Sequence, residues 1–585
     1  MRNLTFLTFL FLMTGLFAQN KPNVIVIMSD DMGNNLESVG NPWLKTPNVD
    51  RLHNQSVRLT NFHQAIMCTP SRTAMMTGKY SLRTGAWRTS VGRSHMRTEE
   101  TTMAEVFKEN GYATGQFGKW HLGDVWPFRA SDQGFDESVN FKCGGISQIS
   151  DYWGNDYFDD TYYHNNKPQK YKGYCTDVFF SETMRFIKET KDEKPFMIYL
   201  APNVAHLPAI VADKYSKPWE DKGHSKKQSI FYGMVTNLDE NMGRLMHFLD
   251  AEGIADNTII VFTTDDGTAG YAAQFDKQGW PLKDGFNMGQ RGGKGAAYEG
   301  GHRVFSYVKW TDGKLKAGTE MGQLTSVMDV FPTVMDLCEI KSNKLSSIDG
   351  VSFKDGLYGK PIKGNKERTI CLSKLVPEKP LNFKRNKYCV IEKDWRYVNR
   401  KELYNVKNDR EQRNNLYDSH PDIVAKMEEK LQSFLKENAQ DRETPVRFVL
   451  GDENHKKIDL TTQDVWGNSV FTQGQVEKHQ AGSGPWKVQF KNSGKYQITL
   501  SRYPLHTGYA FSRNKGKKVS PFTANEAILK VAGKEYKKTI NAADSQVTFD
   551  VDVDACKTDL ETMIASEEGL TIPAYYVTVS LSQKI

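Results

Sequence analysis

The stretch Asn23–Asp31, NVIVIMSDD, places two acidic residues directly after a short apolar run that is rich in β-branched side chains. Such a run predicts a strand that is buried on both faces, as in a parallel sheet. Open α/β sheets carry their ligand-binding groups at the carboxyl ends of strands. Two adjacent carboxylates there repel each other unless a cation lies between them. Asp30 and Asp31 are therefore candidate metal ligands, and a solvated turn is the alternative.

The same pattern occurs a second time, where Asp265 and Asp266 follow the strand-like run Thr258–Thr264. Two acidic pairs that converge at one sheet edge would form a hard, oxygen-rich site suited to Ca²⁺ or Mg²⁺. Between residues 22 and 349, apolar strands alternate with amphipathic helices such as 176–190 and 227–252. This alternation predicts a large mixed, mostly parallel sheet that lies between helices.

Cys68 begins the string CTPSRTAMMTG, residues 68–78. A buried structural thiol is the ordinary role of a free cysteine. The spacing Cys-x-Pro-Ser-Arg-x4-Thr-Gly, however, closely resembles the signature of type I sulfatases, in which a maturation enzyme oxidises the cysteine to formylglycine. The resemblance implies an alkaline-phosphatase-like fold. It also implies covalent catalysis, in which the hydrated aldehyde of residue 68 takes up the sulfuryl group and its second hydroxyl then expels sulfate.

Two further segments resemble sulfatase motifs, GKWHLG at residues 118–123 and RGGKGAAYEGGHR at residues 291–303. The match implies that Lys119 and Lys294 bind sulfate oxygens. It implies that His121 contacts the formylglycine diol and acts as the base in the elimination step.

His206 follows the strand-like run 196–200, and sulfatases carry a histidine in a similar setting that protonates the leaving alcohol. General acid catalysis of this kind contributes about 10²–10⁴-fold to the rate. A structural role is an equal alternative for His206 alone. The resemblance implies that Arg72 lies near the formylglycine and the metal.

The resemblance implies a metal site formed by Asp30, Asp31, Cys68, Asp265 and Asp266. Sulfatases usually carry Asp-Asn in the second pair, so Asp266 is a departure from the family pattern. The extra carboxylate leaves the identity of the metal open between Ca²⁺, which we expect, and Mg²⁺.

Residues 1–18 resemble a secretory signal peptide, with Arg2 before an apolar run and Ala18 as a small cleavage residue. A signal anchor is the alternative. We expect a secreted or periplasmic protein with no stable membrane anchor. The net charge of +7 suits a polyanionic substrate but is common among soluble proteins. No zinc-finger spacing or basic helix indicates a nucleic-acid partner.

The pattern of elements predicts three folded regions after the signal peptide. Residues 19–365 form the catalytic domain, 366–440 a small antiparallel α+β subdomain, and 441–585 a linker with a β-sandwich. Cys371 and Cys389 could bridge neighbouring strands. In the last region, exposed aromatics such as Trp466 or Tyr503 could bind glycan; alternatively, they fill its core or its contact with the catalytic domain.

The expected function is hydrolysis of sulfate esters on a sulfated sugar, such as an oligosaccharide from a sulfated polysaccharide of algal or other origin. The expected partners are this carbohydrate and a formylglycine-generating or other sulfatase-maturing enzyme. One alternative is a phosphomonoester or phosphonate hydrolase, although phosphatases usually place Thr or Ser at the position of Cys68. Another is a non-catalytic protein that binds sulfated glycans. The presence of Lys119, His121, His206 and Lys294 argues against that alternative.

Overall fold

The computed structural model describes residues 21–282, 285–345, 348–377, 385–514 and 520–584. The predicted signal peptide, residues 1–18, lies outside these residues. Among the helices of the described ranges, none combines the length and the apolar character that a bilayer crossing requires.

The first part of the chain forms a sheet of ten strands and, beside it, a small sheet of three. In chain order the strands are β1 (Asn23–Ser29), β2 (Val57–Leu59), β3 (Phe62–His63), β4 (Ala113–Gly118), β5 (Glu137–Asn140), β6 (Thr161–His164), β7 (Lys167–Lys170), β8 (Phe196–Ala201), β9 (Thr258–Thr264), β10 (Arg303–Val304), β11 (Ser306–Lys309), β12 (Thr319–Met321) and β13 (Thr325–Ser326). The large sheet has the order β12-β2-β11-β9-β1-β8-β4-β5-β6-β7. Its central strands, from β9 to β5 in this order, run parallel.

Helices cover both faces of this sheet. They are α1 (Pro47–Asn54), α2 (Cys68–Thr77), α3 (Ser81–Thr84), α4 (Met103–Glu109), α5 (Cys175–Thr190), α6 (Asp213–Glu220), α7 (Lys226–Ala251), α8 (Gly270–Ala273), α9 (Glu299–His302), α10 (Val330–Leu337) and α11 (Lys354–Leu357). Short 3₁₀ helices span Glu37–Val39, Ala130–Gln133, Val327–Asp329, Asn365–Glu367, Gln440–Glu443, Thr462–Asp464 and Leu505–Thr507.

Strand β1 shows why the sheet requires two layers of helices. Ile25 and Ile27 pack into a core with α5 and α7, whereas Val24, Val26 and Met28 pack into a second core with α2, α4 and α10. Successive side chains of a strand point to opposite faces, so an uninterrupted apolar run needs cover on both sides. The predicted sheet between two helical layers is confirmed.

A small antiparallel sheet follows, formed by β14 (Thr369–Lys374), β15 (Lys387–Glu392), β16 (Trp395–Val398) and β17 (Glu402–Asn405). Helix α12 (Pro421–Asn438) packs against it through Met427 and Leu431. The suggested Cys371–Cys389 bridge is wrong. Cys371 faces Val390 across the strands and Cys389 faces Leu372, so the two thiols lie on opposite faces of the sheet.

The last region is a sandwich of two sheets around one core. Its elements are β18 (Phe448–Leu450), β19 (Lys457–Thr461), α13 (Gln473–Glu477), β20 (Trp486–Phe490), β21 (Gly494–Ser501), β22 (Ala524–Val531), β23 (Lys534–Thr539), β24 (Val547–Val553), β25 (Cys556–Ser566), β26 (Thr571–Ile572) and β27 (Tyr576–Lys584). Tyr503 is 1% exposed in its core. Trp466 donates a hydrogen bond to the carbonyl of Gly92 and stacks on Arg93. Both aromatics therefore fill the core or the contact with the first region.

Candidate active site

The two acidic pairs meet because β1 and β9 are adjacent and parallel. Ser29 lies opposite Thr264 at the ends of these strands, so Asp30 and Asp265 begin side by side. The backbone N–H of Asp31 donates to Oδ1 of Asp265 over 3.1 Å. All four aspartates of the two pairs are buried. The strand ends thus gather four carboxylates away from water.

Three cationic side chains balance three of these carboxylates. Lys119 Nζ lies 2.8 Å from Asp30 Oδ2, and Lys294 Nζ lies 2.6 Å from Asp31 Oδ2. Asp265 accepts two hydrogen bonds from Arg72, 2.7 Å from Nη2 and 3.1 Å from Nε. Arg72 also donates to the hydroxyl of Tyr199. Both of the Arg72–Asp265 bonds end on Oδ2, and hydrogen bonds between charged groups are about twice as strong as neutral ones.

Asp266 differs from the other three, because its side chain is buried and neither of its carboxylate oxygens has a hydrogen-bond partner among the described residues. Burial, together with the charges of Asp31 and Asp265, raises the pKa of Asp266 well above its ordinary value. Burial opposes the ionisation of Asp30 as well and is the largest influence on its pKa, but the charges of Lys119, His206 and Arg72 together outweigh it, and the pKa of Asp30 is lowered. The ionised form of Asp266 thus has no hydrogen-bonded or ion-paired counter-charge among the described residues.

The acidic groups fit a hard divalent cation. Asp31, Asp265 and Asp266 each offer an oxygen, and these atoms lie within 4.8 Å of one another. In the part of the chain that the structure describes, one oxygen of Asp31 and both of Asp266 are buried without a hydrogen-bond partner. Carboxylate oxygens are the ligands that Ca²⁺ and Mg²⁺ prefer. A cation here would supply the charge that the protein's own side chains do not.

Cys68 is the first residue of α2 and lies beside these groups. Its Sγ is 3.6 Å from Nδ1 of His121, whose Nε2 contacts the carbonyl of Thr89 at 3.2 Å. Burial raises the pKa of the Cys68 thiol. A thiol of this kind is not an activated thiolate nucleophile. Burial and the charge of Lys119 lower the pKa of His121 well below its ordinary value, so its imidazole is neutral.

His206 also lies beside the acidic groups. Its Nε2 is 3.9 Å from Asp31 Oδ2, and its Nδ1 is 2.6 Å from the carbonyl oxygen of Leu207. Burial lowers the pKa of His206, and the negative charge of Asp30 opposes this shift. The structure therefore brings every residue that the sequence indicated to one edge of the sheet: Asp30, Asp31, Cys68, Arg72, Lys119, His121, His206, Asp265, Asp266 and Lys294.

Sequence reasoning missed two features of the site. The first is Tyr199, whose hydroxyl binds Arg72; an apolar strand gives no signal for such a role. The second is the glycine pair Gly144 and Gly145. A Cβ on Gly144 would lie 2.5 Å from the ring of His121, and one on Gly145 would lie 2.9 Å from Nδ1 of His206. The paired glycines in the sequence were the available signal, since glycine permits close approach to a side chain.

Comparison with known proteins agrees with this geometry. Residues 22–340, more than half of the chain, match the family model of sulfatases. Human N-acetylgalactosamine-6-sulfatase is 31% identical over 359 residues, which are 57% of this chain and 65% of that protein. The chain thus spans slightly less than two thirds of that relative.

Two solved structures share the fold. Ps i-CgsB in complex with k-i-k-neocarrahexaose has a TM-score of 0.64 and 24% identity, over 72% of this chain and 94% of that one. The phosphonate monoester hydrolase of Agrobacterium radiobacter has a TM-score of 0.53 and 18% identity, over 72% of this chain and 97% of that one. At these identities the likeness concerns the fold alone. With the family model matched from residue 22 to residue 340, the chain belongs to the sulfatase family.

Proposed function

We propose that this protein hydrolyses sulfate esters of sugars, with Cys68 converted to formylglycine. The observation that carries the proposal is the meeting of Cys68 with three cationic side chains, two histidines and four carboxylates at one sheet edge. Formylglycine supplies a hydrate hydroxyl that attacks sulfur and a second hydroxyl whose deprotonation releases sulfate.

A divalent cation, which we propose to be Ca²⁺ with Mg²⁺ as the alternative, would be held by Asp30, Asp31, Asp265, Asp266 and the modified residue 68. When bound, it supplies positive charge that polarises a sulfate oxygen and favours the ionised nucleophile. The buried oxygens of Asp266, which have no partner among the described residues, support this assignment.

The remaining side chains bind the sulfate and move protons. Lys119 and Lys294 each carry three N–H donors, so each ammonium can donate to a sulfate oxygen while it stays bonded to its aspartate. The neutral imidazole of His121 accepts a proton from the group at residue 68. His206 donates a proton to the leaving alcohol, and the negative charge of a bound sulfate ester favours the protonated imidazole that this step requires.

The sugar class of the substrate rests on the relative that is named for N-acetylgalactosamine 6-sulfate and is 31% identical. We propose a sulfated oligosaccharide released from a polysaccharide, of algal or other origin, as the substrate. We further propose export through residues 1–18 and maturation of Cys68 by a formylglycine-generating or other sulfatase-maturing enzyme. Both steps concern the unfolded chain, which is the form that a maturing enzyme reads.

Two measurements test the proposal. Mass spectrometry of the peptide that spans Cys68 should show loss of sulfur and gain of an oxygen. The matured protein should then release sulfate from 4-nitrophenyl sulfate faster than it releases phosphate from 4-nitrophenyl phosphate, and the Cys68→Ala variant should release neither.

Faster release of phosphate or phosphonate would instead favour a phosphomonoester or phosphonate hydrolase. The observation behind this second candidate is the fold shared with a phosphonate monoester hydrolase. Binding of sulfated glycans by fully matured protein without any release of sulfate would favour a non-catalytic receptor. An unmodified cysteine in active protein would contradict the formylglycine mechanism.

A further inference from the structure

Two lysines face each other across β14 and β15. The antiparallel register places Lys374 directly opposite Lys387. Like charges at directly opposed positions destabilise a sheet unless a counter-charge is present. Within the described ranges, no carboxylate forms an ion pair with either ammonium. Among the described residues, neither cation of this pair therefore has an ion-pair partner, and Asp266 is the acidic residue whose charge acts on Lys374.

The two ammonium groups lie at the border of the active site. Lys387 Nζ donates to the carbonyl of Gly295 over 2.8 Å. A Cβ built on Gly295 would lie 2.8 Å from Lys374 Nζ and 3.7 Å from the Sδ of Met67. Gly295 directly follows the sulfate-binding candidate Lys294, and Met67 directly precedes Cys68. The strands thus deliver two positive charges next to the proposed sulfate pocket.

A third cation, Arg88, lies in the same place. Its Nη1 donates to the carbonyl of Leu375, the residue after Lys374, over 2.9 Å. Its Nε is buried without a hydrogen-bond partner in the part of the chain that the structure describes. The next residue, Thr89, contacts His121 through its carbonyl. Arg88 therefore lies between the lysine pair and Thr89, whose carbonyl contacts the proposed catalytic base His121.

The electrostatics of Lys374 show how one-sided this cluster is. Burial, followed by the charges of Lys387, Arg88 and Lys294, lowers the pKa of Lys374 to about 8, and Asp266 opposes this shift. A protein that concentrates cations at this cost gains from an anion bound among them. Lys374 and Lys387 also lie outside residues 22–340, the part that matches the family model, so they are features of this chain rather than of the matched motifs.

We infer that Lys374, Lys387 and Arg88 form a subsite, here called the basic rim, that binds a second anionic group of the substrate while its sulfate ester occupies the catalytic pocket. The group is a second sulfate or a carboxylate, on the same sugar or on its neighbour. The inference rests on the proposed sulfatase function and specifies its substrate as a sugar with at least two negative groups.

The test uses competitive inhibition of 4-nitrophenyl sulfate hydrolysis by the matured full-length protein. The inhibitors are N-acetylgalactosamine 6-sulfate, with one anionic group, N-acetylgalactosamine 4,6-disulfate, with a second sulfate, and the chondroitin 6-sulfate disaccharide, with a carboxylate. At least one of the doubly charged sugars should bind about tenfold or more tightly than the singly charged one, as expected for one charge-assisted hydrogen bond.

Lys374→Gln should remove most of the difference in affinity between the doubly and the singly charged sugars, and Lys374→Arg should retain that difference. Lys167→Gln, on the exposed edge strand β7, is the matched control and should retain it as well. The doubly charged sugar whose affinity depends on Lys374 identifies the second group as sulfate or carboxylate. Thermal unfolding of each variant checks that the fold is intact, and Lys387→Gln, which removes the second lysine of the basic rim and should likewise reduce the difference, carries the test if Lys374→Gln does not fold.

Equal inhibition by all three sugars would overturn the basic rim, and so would an equal loss of affinity for all three in Lys374→Gln. Turnover of 4-nitrophenyl sulfate in the same experiments would still support the proposed function. Matured protein with no turnover of 4-nitrophenyl sulfate would overturn the proposed function, and the inference would fall with it.

Discussion

The two acidic pairs at the ends of β1 and β9 have the same sequence pattern but differ in how many of their carboxylates are ion-paired. Both residues of the first pair are ion-paired, Asp30 with Lys119 and Asp31 with Lys294. In the second pair Asp265 is balanced by Arg72, whereas Asp266 has no hydrogen-bond or ion-pair partner among the described residues. A repeated motif can thus differ in charge balance: the first pair holds two lysines in place, and the second leaves one carboxyl group open to a cation.

The largest expected effect is a loss of activity on substitution of His206, which lies next to the first acidic pair. His206, 3.9 Å from Asp31, is proposed to protonate the leaving alcohol. His206→Gln should therefore lower the turnover of N-acetylgalactosamine 6-sulfate by about 10²–10⁴-fold, the range of general acid catalysis.

Turnover of 4-nitrophenyl sulfate serves as the control for this variant, because nitrophenolate departs without a proton and should be affected far less. Initial rates of sulfate release measure both reactions. An equal loss on the two substrates would assign His206 a positioning role rather than that of the acid.

The next effect concerns the balanced half of the second pair. Arg72→Met would leave Asp265 buried without the guanidinium that donates two hydrogen bonds to its Oδ2. Removal of one member of a buried ion pair costs about 3–5 kcal/mol of unfolding free energy. Urea unfolding at neutral pH measures this loss.

Arg51→Met is the matched control, because Arg51 forms an exposed ion pair with Asp250. Pairs of this kind contribute about 0–1 kcal/mol. If both variants lost the same stability, the Arg72–Asp265 pair would not be the internal counter-charge that the comparison requires.

The smallest expected effect concerns the unbalanced residue itself. Asp266→Asn replaces a buried carboxyl group, which has no hydrogen-bond partner among the described residues, with an amide that cannot ionise. Burial raises the pKa of Asp266, so without a cation folding at neutral pH costs free energy either to protonate this group or to bury its charge. The amide avoids that cost, so the variant should unfold at a higher temperature than wild type in the presence of a chelator.

Added Ca²⁺ should stabilise the wild type more than the variant, because the carboxylate that the cation neutralises is present only in the wild type. Differential scanning fluorimetry with and without Ca²⁺ measures both shifts. A calcium effect of the same size in the two proteins would remove Asp266 from the proposed set of metal ligands.

Much of the site could be predicted from sequence because its residues follow strands. The runs 23–29 and 258–264 have the length and apolar character of buried parallel strands, and both are strands in the structure. The capping box at Thr102 and Glu105 likewise has a local cause and is present at the start of α4. Patterns of this kind depend on neighbours in the chain, which a sequence displays directly.

Contacts between distant segments could not be predicted in the same way. Whether Cys371 and Cys389 lie on the same face of the sheet depends on the register between β14 and β15. A shift of that register by one residue would move the side chains of one strand to the other face. The basic rim also depends on that register, since it sets Lys374 opposite Lys387 and brings both to Gly295. The sequence left open whether Trp466 binds glycan at the surface or packs in the interior, and its hydrogen bond to Gly92 shows that it packs.

The sequence alone determined that acidic residues end two buried strands and that Cys68 begins a sulfatase-like motif, because strand periodicity and motif spacing are local properties of the chain. Only the tertiary structure decided which carboxylate has a counter-charge and which cations lack one. Charge balance is set by distances between side chains that are far apart in sequence, and electrostatic energy depends on those distances and on burial rather than on order along the chain.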